Sequence, residues 1–368
     1  MPSDAPLTRR SLISALGLLP ALRLFGAQQQ AAPQQDAAQQ DKPTFSTGVK
    51  VVNLFANVRN KNGQIVKDLT KDDFQLDEDG RAQVISYFSQ ESDLPLTLGL
   101  LVDTSGSQRR LIEEERSASY RFFEQVLRPE KDVAFVIHFD FESELLQDIT
   151  SSRKLLEQAL DNLETPAQQR QVQQRQPTQQ MPFPFPGGGG RRRGGPMGGG
   201  GGQQQRRGGG TVLYDAVLLA SNEILRKQTG RKALIVLSDG VDTGSKVSLF
   251  SAVEAAQRAD TQVCSILFED PEAYGGGFGM GRMGRGGMNM PNGKKVLEQI
   301  SRETGGHFFE VSKKQTLAKV YDEIDEDLRH QYSLGYSPDR AEGGYHKIHL
   351  ATKQKGLTVQ TREGYYGS

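Results

Sequence analysis

Between residues 94 and 330 short apolar runs alternate with stretches of helical spacing, and this alternation constrains the fold more than any other feature of the chain. Leu94–Val102 is an apolar run that ends at Asp103. Residues 109–128 follow, with Leu111, Ile112, Phe122, Phe123, Val126 and Leu127 on one broad helical face. Val133–Phe139 is a second apolar run, Ser143–Thr150 has strand character, and Ser151–Leu163 has helical spacing. The pattern resumes with a helix over 212–228, a strand over 232–238, a helix over about 246–260 and a strand over 261–268. A helix over 294–304, a short strand over 307–311 and a helix over 315–329 complete it. Strands that alternate with helices predict a mostly parallel sheet covered on both faces, and runs such as Ala233–Leu237 suit strands buried on both sides. The expected architecture is therefore α/β, a Rossmann-like doubly wound sheet, over residues 92–330.

Both flanks have strand character instead. In residues 44–91, Val52, Leu54, Ala56 and Val58 alternate at period two, and Asn62-Gly63 and Asp79-Gly80 are turn dipeptides. In residues 331–368, Tyr332, Leu334 and Tyr336 alternate, and His346–Leu350 and Leu357–Thr361 are joined through Lys355-Gly356. Neither flank holds enough strands to be stable alone. They are expected to pair into one small β domain built from both chain ends, since the ends of the central domain can lie close together. His346 and His349, three apart in a strand, should point to opposite faces and make no chelating pair.

Two low-complexity segments interrupt the central pattern. Residues 165–210 hold seven arginines, 14 glycines, many glutamines and no acid. Residues 271–293 hold nine glycines with Arg282 and Arg285. Neither can bury enough apolar surface to offset chain entropy, so both are expected to be disordered inserts. At the N-terminus, Arg9 and Arg10 precede the apolar run Ser11–Leu22, with Gly26 and Ala27 after it. Residues 1–27 are therefore expected to be a signal peptide directing export, and Thr8-Arg9-Arg10-Ser11-Leu12-Ile13 resembles a twin-arginine signal. The run is too short to span a bilayer, and 28–43 is expected to be a disordered linker. Lys+Arg and Asp+Glu both number 45, so overall charge singles out neither nucleic acid nor an acidic surface as partner. Arg-Gly runs with Phe183 and Phe185 keep open an alternative, a polyanion or nucleic-acid binder, although export makes nucleic acid the less natural partner. With Cys264 the lone cysteine, no intrachain disulfide is possible, and its place in an apolar run marks it as a core residue.

Asp103-Thr104-Ser105-Gly106-Ser107 directly follows the first apolar run, Thr211 stands just before a helix, and Asp239 ends a later strand. Ligand sites in open α/β sheets lie at the carboxyl ends of strands. Asp103, Ser105, Ser107, Thr211 and Asp239 could converge there as an all-oxygen set, which suits a hard divalent cation, Mg²⁺ first, with Mn²⁺ or Ca²⁺ as alternatives. This spacing resembles the metal-ion-dependent adhesion site of von Willebrand factor A domains, an Asp-x-Ser-x-Ser loop with a later Thr and a later Asp. The flanks Leu69-Thr70-Lys71-Asp72-Asp73-Phe74, Tyr332-Ser333-Leu334-Gly335-Tyr336 and Gly364-Tyr365-Tyr366 are similar to those of acidobacterial VWFA-related proteins. The resemblance implies that the hydroxyls bind the metal directly, the aspartates directly or through water, and that an Asp or Glu of a protein partner fills the open position. The interval from Ser107 to Thr211 is long, and the insert at 165–210 accounts for much of it. Asp215 and Asp242 are expected to play supporting or surface roles. Asp242-Thr243-Gly244-Ser245 mimics an aspartic-protease motif, but that chemistry needs two such aspartates sharing a proton. A haloacid-type phosphatase would want an acid where Ser105 stands, and no nucleophile has a legible activating base. The sequence thus predicts a binding protein, not an enzyme.

Overall fold

A computed structural model describes residues 51–90, 94–163, 210–268, 292–339 and 343–367. The expected signal peptide and linker lie outside the described residues, as do nearly all of both arginine- and glycine-rich inserts. No helix among the described residues is long and apolar enough to cross a membrane.

The central sheet has six strands: β5 (Leu96–Asp103), β6 (Val133–Phe139), β7 (Ser143–Thr150), β8 (Arg231–Ser238), β9 (Gln262–Leu267) and β10 (Phe308–Glu310). Their spatial order is β10-β9-β8-β5-β6-β7, and only β7 runs antiparallel. Counted by appearance within this unit, the order is the 3-2-1-4-5-6 of doubly wound folds. Alternate residues feed two cores. Leu98, Leu100, Val102, Ala134, Val136, Ile235 and Ile266 face α1 (Ile112–Val126), α2 (Arg153–Asp161) and a C-terminal helix over Leu317–Arg329. Leu101, Phe135, Ile137, Leu234 and Val236 face α3 (Leu213–Leu219), α4 (Leu249–Arg258) and α5 (Gly293–Thr304); the C-terminal helix is α6. Every residue of β5 is buried, as its unbroken apolar run requires of a strand covered on both sides.

Gly99 shows how tightly the second face is packed. A Cβ there would lie 2.3 Å from Phe135 Cζ and 2.5 Å from Leu234 Cδ2, side chains of its two register partners. Gly99→Ala is expected to destabilise by about 1–3 kcal/mol, as overpacking of a rigid core does. A urea unfolding curve with an unchanged midpoint would show that this layer can relax.

The helix expected over 212–228 is not uniform. It runs as α3, widens into one π turn at Ala220–Ile224 and ends as a 3-10 turn at Leu225–Lys227. The apolar spacing is helical throughout, and local periodicity does not distinguish these hydrogen-bond patterns.

The two flanks do pair. β1 (Val52–Arg59), β4 (Ile85–Ser89), β11 (Tyr332–Tyr336) and β13 (Thr358–Gln360) form one antiparallel sheet in the order β13-β1-β11-β4. β2 (Phe74–Glu78), β3 (Arg81–Gln83), β12 (Gly344–Thr352) and β14 (Gly364–Gly367) form a second, ordered β14-β12-β2-β3. Asp79-Gly80 turns β2 into β3 with both φ angles positive, at 50° and 75°, as a two-residue hairpin needs. One core joins the sheets through Leu54, Ala56, Val58, Leu76, Leu334 and Ile348. Tyr336 ties them further by donating to Glu78 Oε2 at 2.6 Å. The chain leaves this β unit after β4 and returns into β11, and those two strands are neighbours, Ser89 opposite Ser333. The α/β unit is thus inserted at one point of a two-sheet β scaffold.

The β unit docks on the amino-terminal edge of the central sheet. Gln331 donates to Gln262 at the start of β9 (2.7 Å), Gln360 to the Gly306 carbonyl (2.7 Å), and Arg362 to Asp260 (2.6 Å). Arg59 and His307 both meet Asp327 of α6, at 2.5 and 2.7 Å. The strand ends carrying Asp103 and Asp239 lie at the opposite edge.

Candidate metal centre

β5 and β8 are adjacent, and they are where the strand order reverses; in open α/β sheets the loops leaving such strands diverge and leave a ligand crevice at the carboxyl ends. Asp103 is the last residue of β5 and Ser238 the last of β8. Each site residue is held by its own loop. Ser105 N–H donates to Asp103 Oδ1 at 2.9 Å, which turns the chain sharply, and the Gln108 and Leu111 N–H groups lead it into α1. Ser238 Oγ donates to Asp103 Oδ2 at 2.6 Å and accepts the Gly240 N–H at 2.9 Å. Gly240 has φ +76°, and a Cβ there would lie 2.3 Å from the Gly293 carbonyl oxygen, so the loop after Asp239 needs glycine to pass the start of α5.

Four of the five residues expected from the sequence form one oxygen-lined group. Ser105 Oγ and Ser107 Oγ are 3.0 Å apart, and Ser107 Oγ donates to Asp239 Oδ2 at 2.8 Å. Asp103 is fully buried and Asp239 nearly so, while both serines are half-buried and Gly106 is exposed. The hydroxyls therefore stand at the boundary between solvent and two buried carboxylates. Burial, and then the charge of Asp239, push the Asp103 carboxyl up to about 7. Two carboxylates brought together out of water create a local demand for positive charge.

Thr211 is positioned by its backbone. Its carbonyl accepts N–H groups of Thr243 and Gly244 at 3.1 and 3.0 Å, and the next residue, Val212, donates to the Asp140 carbonyl at 2.8 Å. Among the described residues no side-chain hydrogen bond joins it to the other four. The two further aspartates lock its loop to that of Asp239. Asp242 accepts the Tyr214 N–H at 2.9 Å and the Ser245 hydroxyl at 2.6 Å, and Asp215 accepts the Lys246 N–H at 3.0 Å. The protease-like tetrad Asp242–Ser245 is thus a loop clasp.

Three polar residues of the site escape a sequence reading. Ser238 sits in an apolar strand, where its hydroxyl passes for a neutral core substitution. Glu115, in the first turn of α1, and Gln108, in the loop before it, are both 0% accessible. Neither Glu115 carboxylate oxygen nor either Gln108 amide atom has a hydrogen-bond partner. Burial, then the charge of Asp103, holds the Glu115 carboxyl well above the usual range. Glu115 shares one buried face of α1 with Ile112, Ser119, Phe122 and Val126, but an acid at helical spacing carries no sign of burial in the sequence. Glu115→Gln removes that buried charge, and the expected result is a gain in thermal stability that grows with pH. Equal melting temperatures for variant and parent at alkaline pH would show that the carboxylate has compensation.

Thr104 Oγ1 lies 3.1 Å from His138 Nδ1, whose Nε2 lies 3.2 Å from Glu144. This line resembles a nucleophile, base and orienting acid. The Thr104 hydroxyl, however, is fully buried and serves as a strut between the ends of β5 and β6. Cys264 is buried as expected, its thiol pushed up to about 12 by burial. In the β unit His346 Nδ1 lies 3.0 Å from Asp79 and 3.3 Å from Glu78, a group whose ligating atoms are all within 4.8 Å. His346 is buried and His349 exposed, so the two histidines do face opposite ways.

No family model matches the chain, and no curated protein is similar to it at a significant level. Among solved structures it is similar to the conserved hypothetical protein BatB from Bacteroides thetaiotaomicron, at 16% identity over 63% of this chain and 97% of that one, TM-score 0.40. It is also similar to a von Willebrand factor type A protein from Catenulispora acidiphila, at 10% identity over 88% and 76%, TM-score 0.43. A third is the vWF domain of the type V pili tip protein Mfa5 from Porphyromonas gingivalis, at 11% identity over 64% and 95%, TM-score 0.41. The mostly parallel sheet wound in this order, with the Asp-x-Ser-x-Ser loop at its reversal point, is the α/β fold that the resemblance to von Willebrand factor A domains implies.

Proposed function

We propose that the crevice between β5 and β8 binds a divalent cation and that the cation accepts an Asp or Glu carboxylate from a protein partner. The observation that supports this most is the continuous oxygen chain Ser105, Ser107, Asp239 beside the buried Asp103. The donors are all oxygen, two of them carboxylates, and such a set suits a hard divalent cation, Mg²⁺ first, with Mn²⁺ or Ca²⁺ as alternatives. Asp103 and Asp239 would neutralise the ion, Ser105 and Ser107 would ligate through Oγ, and Thr211 would approach from the clasped loop.

The proposal is for binding, not catalysis. Among the described residues a nucleophile-like line, Thr104 with His138 and Glu144, ends on a fully buried hydroxyl. Export, which the sequence of residues 1–27 predicts, would make another exported or surface protein the natural partner.

Partner capture from the exported fraction should be abolished by EDTA and restored by Mg²⁺. Capture that ignores EDTA but vanishes with salt would replace this reading with polyanion binding through the arginine-rich inserts.

A further inference from the structure

At the other pole of the molecule a cleft of about 220 Å³ opens between α4 and the β unit. Three guanidinium groups line it, Arg226, Arg258 and Arg362, against one carboxylate, Asp260. They come from the turn after α3, the end of α4 and the link between β13 and β14, so only the docked fold brings them together.

Each is held differently. Arg362 is almost buried; its Nη1 donates to Asp260 Oδ1 at 2.6 Å and its Nη2 to the Asn53 carbonyl at 2.7 Å. Its Nε is buried with no hydrogen-bond partner, so this guanidinium has more donors than the fold uses. Arg258 lies over the Tyr366 ring, 4.5 Å from its centroid, and pairs with Glu254, a residue outside the cleft lining. Arg226 is exposed and makes no ion pair among the described residues. Arg258, held by stacking, and Arg362, held by a backbone carbonyl, have little ordering cost left to incur on binding, and their planar forks match carboxylates. A concave wall with surplus positive charge also concentrates its field in the cleft.

We infer that this cleft binds an acidic side chain of a peptide segment, independently of the cation site. The volume corresponds to about seven waters at ~30 Å³ each, enough for one carboxylate side chain and adjoining backbone. Tyr365 and Tyr366 supply a wall for the apolar part of such a segment, which a bare anion would not use. The cleft is at the amino-terminal edge of the sheet, so a partner with two acidic segments could engage both poles.

The test titrates the full chain with tetraglutamate in EDTA at low salt, which silences the cation site and keeps the two readings separable. Binding is expected, and Arg226→Glu should weaken it at least tenfold; Arg226 makes no fold contacts by ion pairing, and unchanged melting confirms intact folding. The double variant Arg226→Glu, Arg258→Glu should abolish it. Undiminished binding by the double variant would assign the peptide to the inserts and overturn the proposal. So would equal affinity for glutarate, which would make the cleft a small-anion site, or no tetraglutamate binding at all.

Discussion

Asp103→Asn is expected to lower Mg²⁺ and Mn²⁺ affinity by at least about a hundredfold and, in the same protein, to raise the stability of the metal-free state at neutral pH. Both effects have one cause. The carboxylate is fully buried beside Asp239, with its two oxygens held by Ser238 Oγ and Ser105 N–H. Without a cation, its charge is a cost to the fold; with one, it is half of the neutralising pair. Asparagine keeps the shape and one acceptor and discards the charge. Ser105→Ala is the control: it removes a candidate ligand but keeps the buried carboxylate, so metal affinity should fall with no gain in metal-free stability. Calorimetric titration and thermal melting on the same samples read both quantities. If Asp103→Asn binds Mg²⁺ like the parent, the site assignment is wrong. If it loses metal but gains no stability, the buried charge is already compensated.

The metal-free protein should also become less stable as pH rises from about 4 to about 7. The folded Asp103 carboxyl is pushed up to about 7 from the ordinary 3.8. Between those values the folded chain holds a proton that the unfolded chain has released. The stabilisation from that proton is therefore complete below about pH 4 and is lost as pH climbs through about 7. Its size is on the order of 4 kcal/mol, taking about 1.4 kcal/mol for each tenfold change. Glu115, raised in the same direction, adds to the slope. Saturating Mg²⁺ should reverse the trend above pH 7, because the ion binds the ionised form and stabilises the state it binds. Urea midpoints at about pH 5 and about pH 8, each in EDTA and in excess Mg²⁺, decide the matter. A flat EDTA profile would mean that Asp103 is not desolvated as its burial indicates.

The residues that answer to these tests were partly visible in the sequence. An apolar run such as Leu98–Val102 records burial on both faces directly, because each position of a covered strand must exclude water. The alternation of such runs with amphipathic helices therefore specified the α/β sheet. A polar Asp-x-Ser-x-Ser at the end of a buried strand marked the candidate site's edge before any tertiary information. The period-two flanks and their turn dipeptides likewise announced a β unit from both chain ends.

Other features have no local signature. The burial of Glu115, Gln108 and Ser238 depends on what packs over them, and a polar side chain reads the same on an exposed face as on a covered one. Strand partners were equally hidden. β13 follows β12 closely in the chain yet pairs with β1, while β12 pairs with β2 and β14, since pairing is set by two sheets closing over a shared core rather than by sequence distance. The tertiary structure alone decided that the β unit covers the amino-terminal edge of the central sheet. That docking leaves the Asp103 edge free of the β unit and gathers Arg226, Arg258 and Arg362 around one cleft at the far pole.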